Sequence, residues 1–166
     1  SAAYSVSFAV AFRVFVCISS LYLRRCARQP ATRNGSRAMD VEIIESRVSD
    51  NYFYGLQADG EAALIDPVDG SGAVDWVRDS GAELRYLVNT HFHQDHTGGN
   101  PTVLGSFPGV ELVAGETDAE RVESQLDDRG VDRRVAAGDV LTLGGGWPSR
   151  SWALRYSMIA CVRSFG

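Results

Sequence analysis

The sequence contains no lysine, and it has only three cysteines and three histidines among its 166 residues. Cys17, Cys26 and Cys161 are odd in number and far apart, so they indicate neither a disulfide framework nor a C-x-x-C metal or redox site. We therefore expect a reducing compartment. The apolar run at residues 14–23 is too short to cross a membrane, and we predict no membrane span.

Charge is distributed unevenly along the chain. Residues 1–38 contain six of the sixteen arginines and no acidic residue, whereas residues 39–166 contain ten arginines and twenty-one acidic residues, a net charge of −11. An acidic body disfavours a nucleic-acid surface, so we predict no nucleic-acid partner. The length and the 45% hydrophobic content suit one ordinary domain with its own core.

Three interpretations of the arginine-rich leader, residues 1–38, remain open. Its arginines, serines and lack of acids are typical of an organelle transit peptide, which predicts a mitochondrial or plastid location. Met39 is also a candidate start, which would make the leader an untranslated-region artefact and the protein cytoplasmic. The apolar run bounded by Arg13 also resembles the core of a secretory signal.

All three histidines fall in one short stretch that also contains an aspartate. Its sequence, H-x-H-x-D-H, is His91-Phe92-His93-Gln94-Asp95-His96. Imidazole and carboxylate are donors suited to zinc, iron or manganese. We identify His91, His93, Asp95 and His96 as candidate metal ligands.

The position of this motif predicts its geometry. Residues 84–89 have the composition of a strand, and the motif follows directly. In extended backbone His91 and His93 point the same way and can approach one metal together. The chain must then turn towards a helix that Asn100, as N-cap, and Pro101 are expected to open. That turn can direct Asp95 and His96 to a second, adjacent metal.

The rest of the chain reads as alternating strands and helices. Asp59-Gly60 between two apolar runs predicts a hairpin. Gly81 is expected to end a short helix, and Thr117 with Glu120 fits a capping box. The predicted strands are 41–48, 51–56, 62–66, 84–89, 110–114 and 138–144, and the predicted helices are 73–78 and 117–129.

The motif Thr90–Asn100 resembles the signature of the metallo-β-lactamase superfamily, and its T-H-F-H-Q-D-H-T-G-G-N sequence most resembles the glyoxalase II branch, the hydroxyacylglutathione hydrolases. Further short matches follow in the family's order and together cover about residues 40–145. They are Asp50-Asn51-Tyr52, Ile65-Asp66-Pro67, Gly138-Asp139 with Leu141, and Leu143-Gly144-Gly145.

The resemblance implies an α/β fold, a metallo-β-lactamase-like αβ/βα sandwich truncated to about its first half. We expect a leader at residues 1–38, the N-terminal part of this domain at residues 39–145, and a divergent tail at residues 146–166. A half-sandwich leaves one sheet face without its partner, which predicts self-association.

The resemblance also implies a thioesterase site with two zinc ions, iron or manganese being alternatives. His91 and His93 would hold the first ion, and Asp95 and His96 the second. Metal-bound hydroxide would hydrolyse a glutathione thioester such as S-lactoylglutathione to lactate and glutathione. Asp66 either supports the site from behind or merely ends a strand before Pro67.

An inactive alternative rests on the ligand count. The family takes further histidines from an H-T-x-G-H-like segment and beyond, and this sequence has no histidine after His96. The chain would then be an incomplete or inactive relative that binds metal weakly. A persulfide dioxygenase or another hydrolase of this fold, such as a nuclease, is a further alternative, which the acidic body and the Gly98-Gly99-Asn100 ending disfavour.

Overall fold

The computed structural model describes residues 39–144 and 152–155. Strands and helices alternate along this part of the chain, as the sequence predicts. They are β1 Asp40–Glu45, β2 Tyr52–Ala58, β3 Glu61–Ile65, α1 Gly70–Ser80, β4 Glu83–Asn89, α2 Gln94–Thr97, α3 Asn100–Ser106, β5 Glu111–Gly115, α4 Ala119–Glu123, β6 Arg133–Val135, β7 Val140–Leu143 and β8 Trp152–Arg155.

Strands β1 to β6 form one sheet in chain order. Strand β2 pairs antiparallel with β1 and with β3, and β3 to β6 are parallel to one another. Asp59 and Gly60, at φ 49° and 84°, make the tight turn between β2 and β3. Positive φ at both central residues is the type I′ geometry that matches strand twist, so the predicted hairpin is confirmed.

Helix α1 makes the crossover between the parallel strands β3 and β4. It begins after Asp69, whose side chain accepts a hydrogen bond from the Gly72 amide, and it ends at Gly81 in the left-handed conformation at φ 65°. Glycine adopts that conformation without a Cβ penalty, as the sequence predicted for this position. No helix within residues 39–144 is long and apolar enough to span a membrane.

The sheet buries apolar side chains on both faces because neighbouring strand residues point to opposite sides. Leu87 packs with α1, α3 and α4, whereas Val88 packs on the other face against Leu141 and Leu143 of β7. Strand β7 pairs with β8 as a second sheet, and β8 lies in the predicted tail. Helices outside and a second sheet inside are the layers of the predicted α/β sandwich, about one half of it.

Two boundary predictions are wrong. The helix predicted at residues 117–129 is limited to α4, Ala119–Glu123; Asp118 is its N-cap, and Thr117 donates to the Asp118 carboxylate instead of capping the helix. The strand predicted to reach residue 48 ends at Glu45. The Ser46 hydroxyl accepts the amides of Val48 and Ser49, and this local turn competes with the strand.

Candidate metal centre

The candidate site lies at the edge of the sheet where β3 and β4 end. These strands run parallel with Ile65 opposite Val88, so the residues that follow them, Asp66 and Thr90, emerge side by side. The Asp66 amide donates to the Val88 carbonyl and keeps the two chain ends together. Ligand sites in α/β sheets lie at the carboxyl ends of parallel strands, which is where the motif begins.

The four predicted ligands are neighbours, but among the described residues only His91 and His96 belong, with Asp66, to a group whose ligand atoms all lie within 4.8 Å of one another. The ring centroids of His93 and His96 lie 4.7 Å and 4.0 Å from that of His91, and the Asp95 carboxylate lies 3.4 Å from Nε2 of His96. His93 has extended backbone, and the short helix α2 after it makes the predicted turn. His91 and His96 are half-buried, whereas His93 and Asp95 are exposed.

Asp66 lies directly beneath this cluster and is only 4% exposed. Its carboxylate accepts hydrogen bonds from the Thr90 amide at 2.7 Å, from the Thr90 hydroxyl, and from Nδ1 of His96 at 3.1 Å. Ligand atoms of Asp66, His91 and His96 lie within 4.8 Å of one another. Of the two roles that the sequence left open for Asp66, the contacts favour support of the site.

These contacts determine which imidazole nitrogens carry hydrogen. A carboxylate only accepts, so His96 must donate from Nδ1 to Asp66. The single hydroxyl hydrogen of Thr90 goes to Asp66, so that hydroxyl accepts from Nδ1 of His91, 3.0 Å away. In its neutral form each ring therefore keeps the lone pair on Nε2, the atom left to bind a metal.

The separation of the second donor pair fits a metal ion. Two donors bound to one tetrahedral zinc at ~2.05 Å lie about 3.3 Å apart. Nε2 of His96 and Oδ2 of Asp95 are 3.4 Å apart. The donor types, the tautomers and this distance therefore fit a zinc-like divalent cation.

The pKa values of the two half-buried histidines are shifted in opposite directions. Burial lowers the pKa of His91, and the adjacent His96 lowers it further. Burial would also lower the pKa of His96, but the hydrogen bond and charge of Asp66, together with the charge of Asp95, outweigh it and raise that pKa. The position at His96 therefore favours positive charge, as a cation site should.

Two asparagine side chains, those of Asn51 and Asn100, hold the motif in place, and sequence reasoning assigned neither contact. Nδ2 of Asn51 donates to the Asp95 carbonyl at 2.7 Å. Asn100 was predicted to cap α3, which is wrong: Gly99 is the N-cap, and the buried Asn100 side chain donates to Asn89 at 2.7 Å. Asn51 and Asn100 both stand in the quoted family matches, which is the one sequence signal that could have found them.

Comparisons with known proteins agree with this geometry. The family model described as the metallo-beta-lactamase superfamily matches residues 47–153. A hydroxyacylglutathione hydrolase of Acaryochloris marina is 42% identical over 79 residues, 46% of this chain and 31% of that protein. One of Polaromonas is 38% identical over 94 residues, 57% of this chain and 33% of that protein. The chain thus spans about a third of the length of the curated relatives it matches.

A solved structure also supports the fold. The B3 metallo-beta-lactamase BLEG-1 matches with a TM-score of 0.53 and 20% identity, over 63% of this chain and 57% of that one. At this identity the likeness concerns the fold alone. The predicted αβ/βα fold class is confirmed.

Proposed function

Because this chain belongs to the metallo-β-lactamase superfamily, we propose that His91, His93, Asp95 and His96 bind divalent metal and that the metal is zinc. The observation that carries the proposal is the fixed orientation of His96. Asp66 holds Nδ1 of His96 at 3.1 Å, which leaves Nε2 facing the Asp95 carboxylate at 3.4 Å. This is the carboxylate–histidine–metal arrangement common in metal sites.

The four ligands divide into two pairs in this proposal. His91 and His93 bind a first ion, and Asp95 and His96 bind a second. Bound zinc supplies hydroxide near neutral pH and polarises a carbonyl oxygen. Asp66 and Thr90 bond to Nδ1 of the two anchored histidines, which leaves Nε2 as the ligand atom of each neutral ring, and the exposed His93 and Asp95 mark the side from which a substrate arrives.

The substrate class comes from the named relatives. Matches to hydroxyacylglutathione hydrolases support a glutathione thioester, with S-lactoylglutathione as the test compound. A catalytic zinc usually has three protein ligands, and the four motif donors shared between two ions give each about two. We therefore expect weak zinc binding and little thioester hydrolysis by this chain on its own.

Zinc titration by calorimetry on the full 166-residue chain tests the proposal, with His93→Ala as control and a thioesterase assay in parallel. We expect weak binding that His93→Ala reduces further. Absence of zinc binding, or binding that His93→Ala leaves unchanged, would refute the metal assignment. Tight binding of two zinc ions with robust turnover would instead contradict the expected shortage of ligands.

A further inference from the structure

Gln125 joins the turn after α4 to the metal-binding motif. Its Nε2 donates to the Phe92 carbonyl at 2.6 Å, although the two residues are 33 positions apart in sequence. Its Oε1 accepts a hydrogen bond of 2.5 Å from the Thr97 hydroxyl. Both atoms of one side-chain amide are therefore used on the motif.

The two partners of Gln125 flank the segment that carries three of the four candidate ligands. The Phe92 carbonyl belongs to the peptide bond that leads into His93, and Thr97 directly follows His96. The His93 carbonyl accepts the amides of His96 and Thr97, which closes the segment into one turn. A single side chain thus spans both ends of that turn.

This bridge suits an amide better than other side chains. It needs a donor for the carbonyl and an acceptor for the hydroxyl at neighbouring atoms, and an ionised glutamate lacks the donor. Thr97 is only 2% exposed, and its hydroxyl lies 2.5 Å from Oε1 of Gln125 and 3.1 Å from the His93 carbonyl, so without Gln125 the hydroxyl would keep only the longer contact inside the turn. Arg121 of α4 adds a second contact, because its guanidinium carbon lies 4.5 Å from the centroid of the Phe92 ring.

We propose that Gln125 is a positioning residue that sets the direction of His93, Asp95 and His96. The inference rests on the proposed metal binding by these residues. His93 and Asp95 are exposed, so their side-chain directions depend on the backbone that carries them. Gln125 holds that backbone from the turn after α4, whereas Asp66 contacts His96 through its ring.

The test uses the full chain with Gln125→Glu, which keeps the shape and removes the donor, and with Gln125→Leu. The matched control is Gln57→Leu, because Gln57 also donates one bond to a distant carbonyl, that of Ser80, away from the motif. Cobalt(II) is the metal probe, read by its visible absorption spectrum and its affinity. Amide hydrogen exchange over residues 93–98 is measured on the metal-free chain.

We expect both Gln125 variants to bind cobalt about tenfold more weakly with an altered spectrum, and to exchange faster over residues 93–98, while Gln57→Leu does neither. A wild-type spectrum, affinity and exchange pattern in both Gln125 variants would overturn the inference. If the parent chain binds no cobalt, the proposed function fails, and the exchange data alone decide the role of Gln125. If the variants unfold, Thr97→Val replaces them: it removes the hydroxyl that bonds to Oε1 of Gln125 and contacts the His93 carbonyl, and it leaves the bond from Gln125 to the Phe92 carbonyl in place.

Discussion

The four candidate ligands form two contrasting pairs. The anchored pair, His91 and His96, is half-buried and bonded through Nδ1 to Thr90 and Asp66. The exposed pair, His93 and Asp95, faces solvent: the Asp95 side chain is 61% exposed, against 18% for His96. The rings of the anchored pair bond to Thr90 and Asp66, the residues that directly follow β4 and β3, although His96 itself lies in α2.

The proposed metal pairing combines one member of each pair at each ion. His91 is matched with His93, and His96 with Asp95. At each ion an anchored ring binds from a fixed direction, and an exposed donor adds a second ligand from the solvent side. Changes to the anchored pair should therefore affect both stability and metal binding, whereas changes to the exposed pair should affect metal binding alone.

The largest loss of stability is expected at Gly99, where the motif packs against the segment that follows Asp66. A Cβ at Gly99 would lie 1.9 Å from the Pro67 carbonyl and 2.6 Å from the Gly70 amide, both rigid backbone atoms next to Asp66. Gly99→Ala should therefore cost about 3 kcal/mol or more in unfolding free energy, measured by urea denaturation. The φ of Gly99 is −84°, so this cost is steric and involves no left-handed strain.

Gly105, within α3, is the matched control for Gly99. A Cβ there meets nothing within 4 Å. Gly105→Ala should stabilise the chain by about 0.5–1 kcal/mol, because alanine loses less backbone entropy in a helix. If Gly99→Ala and Gly105→Ala changed the unfolding free energy equally, the close approach of Gly99 to the Pro67 carbonyl would be contradicted.

The next prediction compares a histidine of the anchored pair, His96, with a histidine of the exposed pair, His93. His96→Ala removes a partner of the buried Asp66 and should cost about 1–3 kcal/mol in the metal-free chain. His93→Ala should stay within about 0.5 kcal/mol of the parent. Both substitutions should weaken zinc binding, measured by calorimetry beside urea denaturation. A His93→Ala loss as large as that of His96→Ala would remove the distinction between anchored and exposed ligands.

The sequence predicted features that depend on local chemistry. Asp59-Gly60 made the hairpin and Gly81 ended α1, because both outcomes follow from backbone conformations that few residues adopt. The H-x-H-x-D-H spacing placed His91 and His96 close together because the strand end and the following turn lie within a few residues, whereas the third member of their group, Asp66, comes from another strand.

Features that depend on distant partners were not predicted. Asn100 has the position of a helix cap, but its side chain bonds to Asn89 on the neighbouring strand β4. The helix expected to reach residue 129 stops at Glu123, where the chain turns and Gln125 reaches the motif. A polar side chain has several partners open to it, and local spacing cannot show which one the fold brings close.

A smaller effect should arise at a buried carboxylate away from the metal. Asp69 is 3% exposed; burial would raise its pKa, but hydrogen bonds from the Gly72 amide and from Arg47 outweigh that and lower it. Asp69→Ala should cost about 1 kcal/mol at pH 7 through loss of the helix cap, with zinc affinity unchanged.

The difference in unfolding free energy between the parent and Asp69→Ala should depend on pH. A lowered folded-state pKa stabilises the protein above the unfolded value of about 3.9, and the contribution disappears as pH falls through the folded pKa. Urea denaturation from pH 7 to pH 3 should therefore show the parent and Asp69→Ala converging below about pH 4. A gap that widens on acidification would contradict the lowered pKa.

Asp66→Asn tests most directly whether Asp66 orients His96 for metal. Asparagine tolerates the φ of 52° found at Asp66 and keeps the acceptor for the Thr90 amide, but its NH₂ group would face Nδ1 of His96. Nδ1 must then accept, which moves the ring hydrogen to Nε2 and blocks the metal position. Calorimetry should show zinc binding about 10–100-fold weaker in Asp66→Asn, while unfolding free energy changes by no more than about 2 kcal/mol. Zinc affinity within about twofold of the parent would contradict the account.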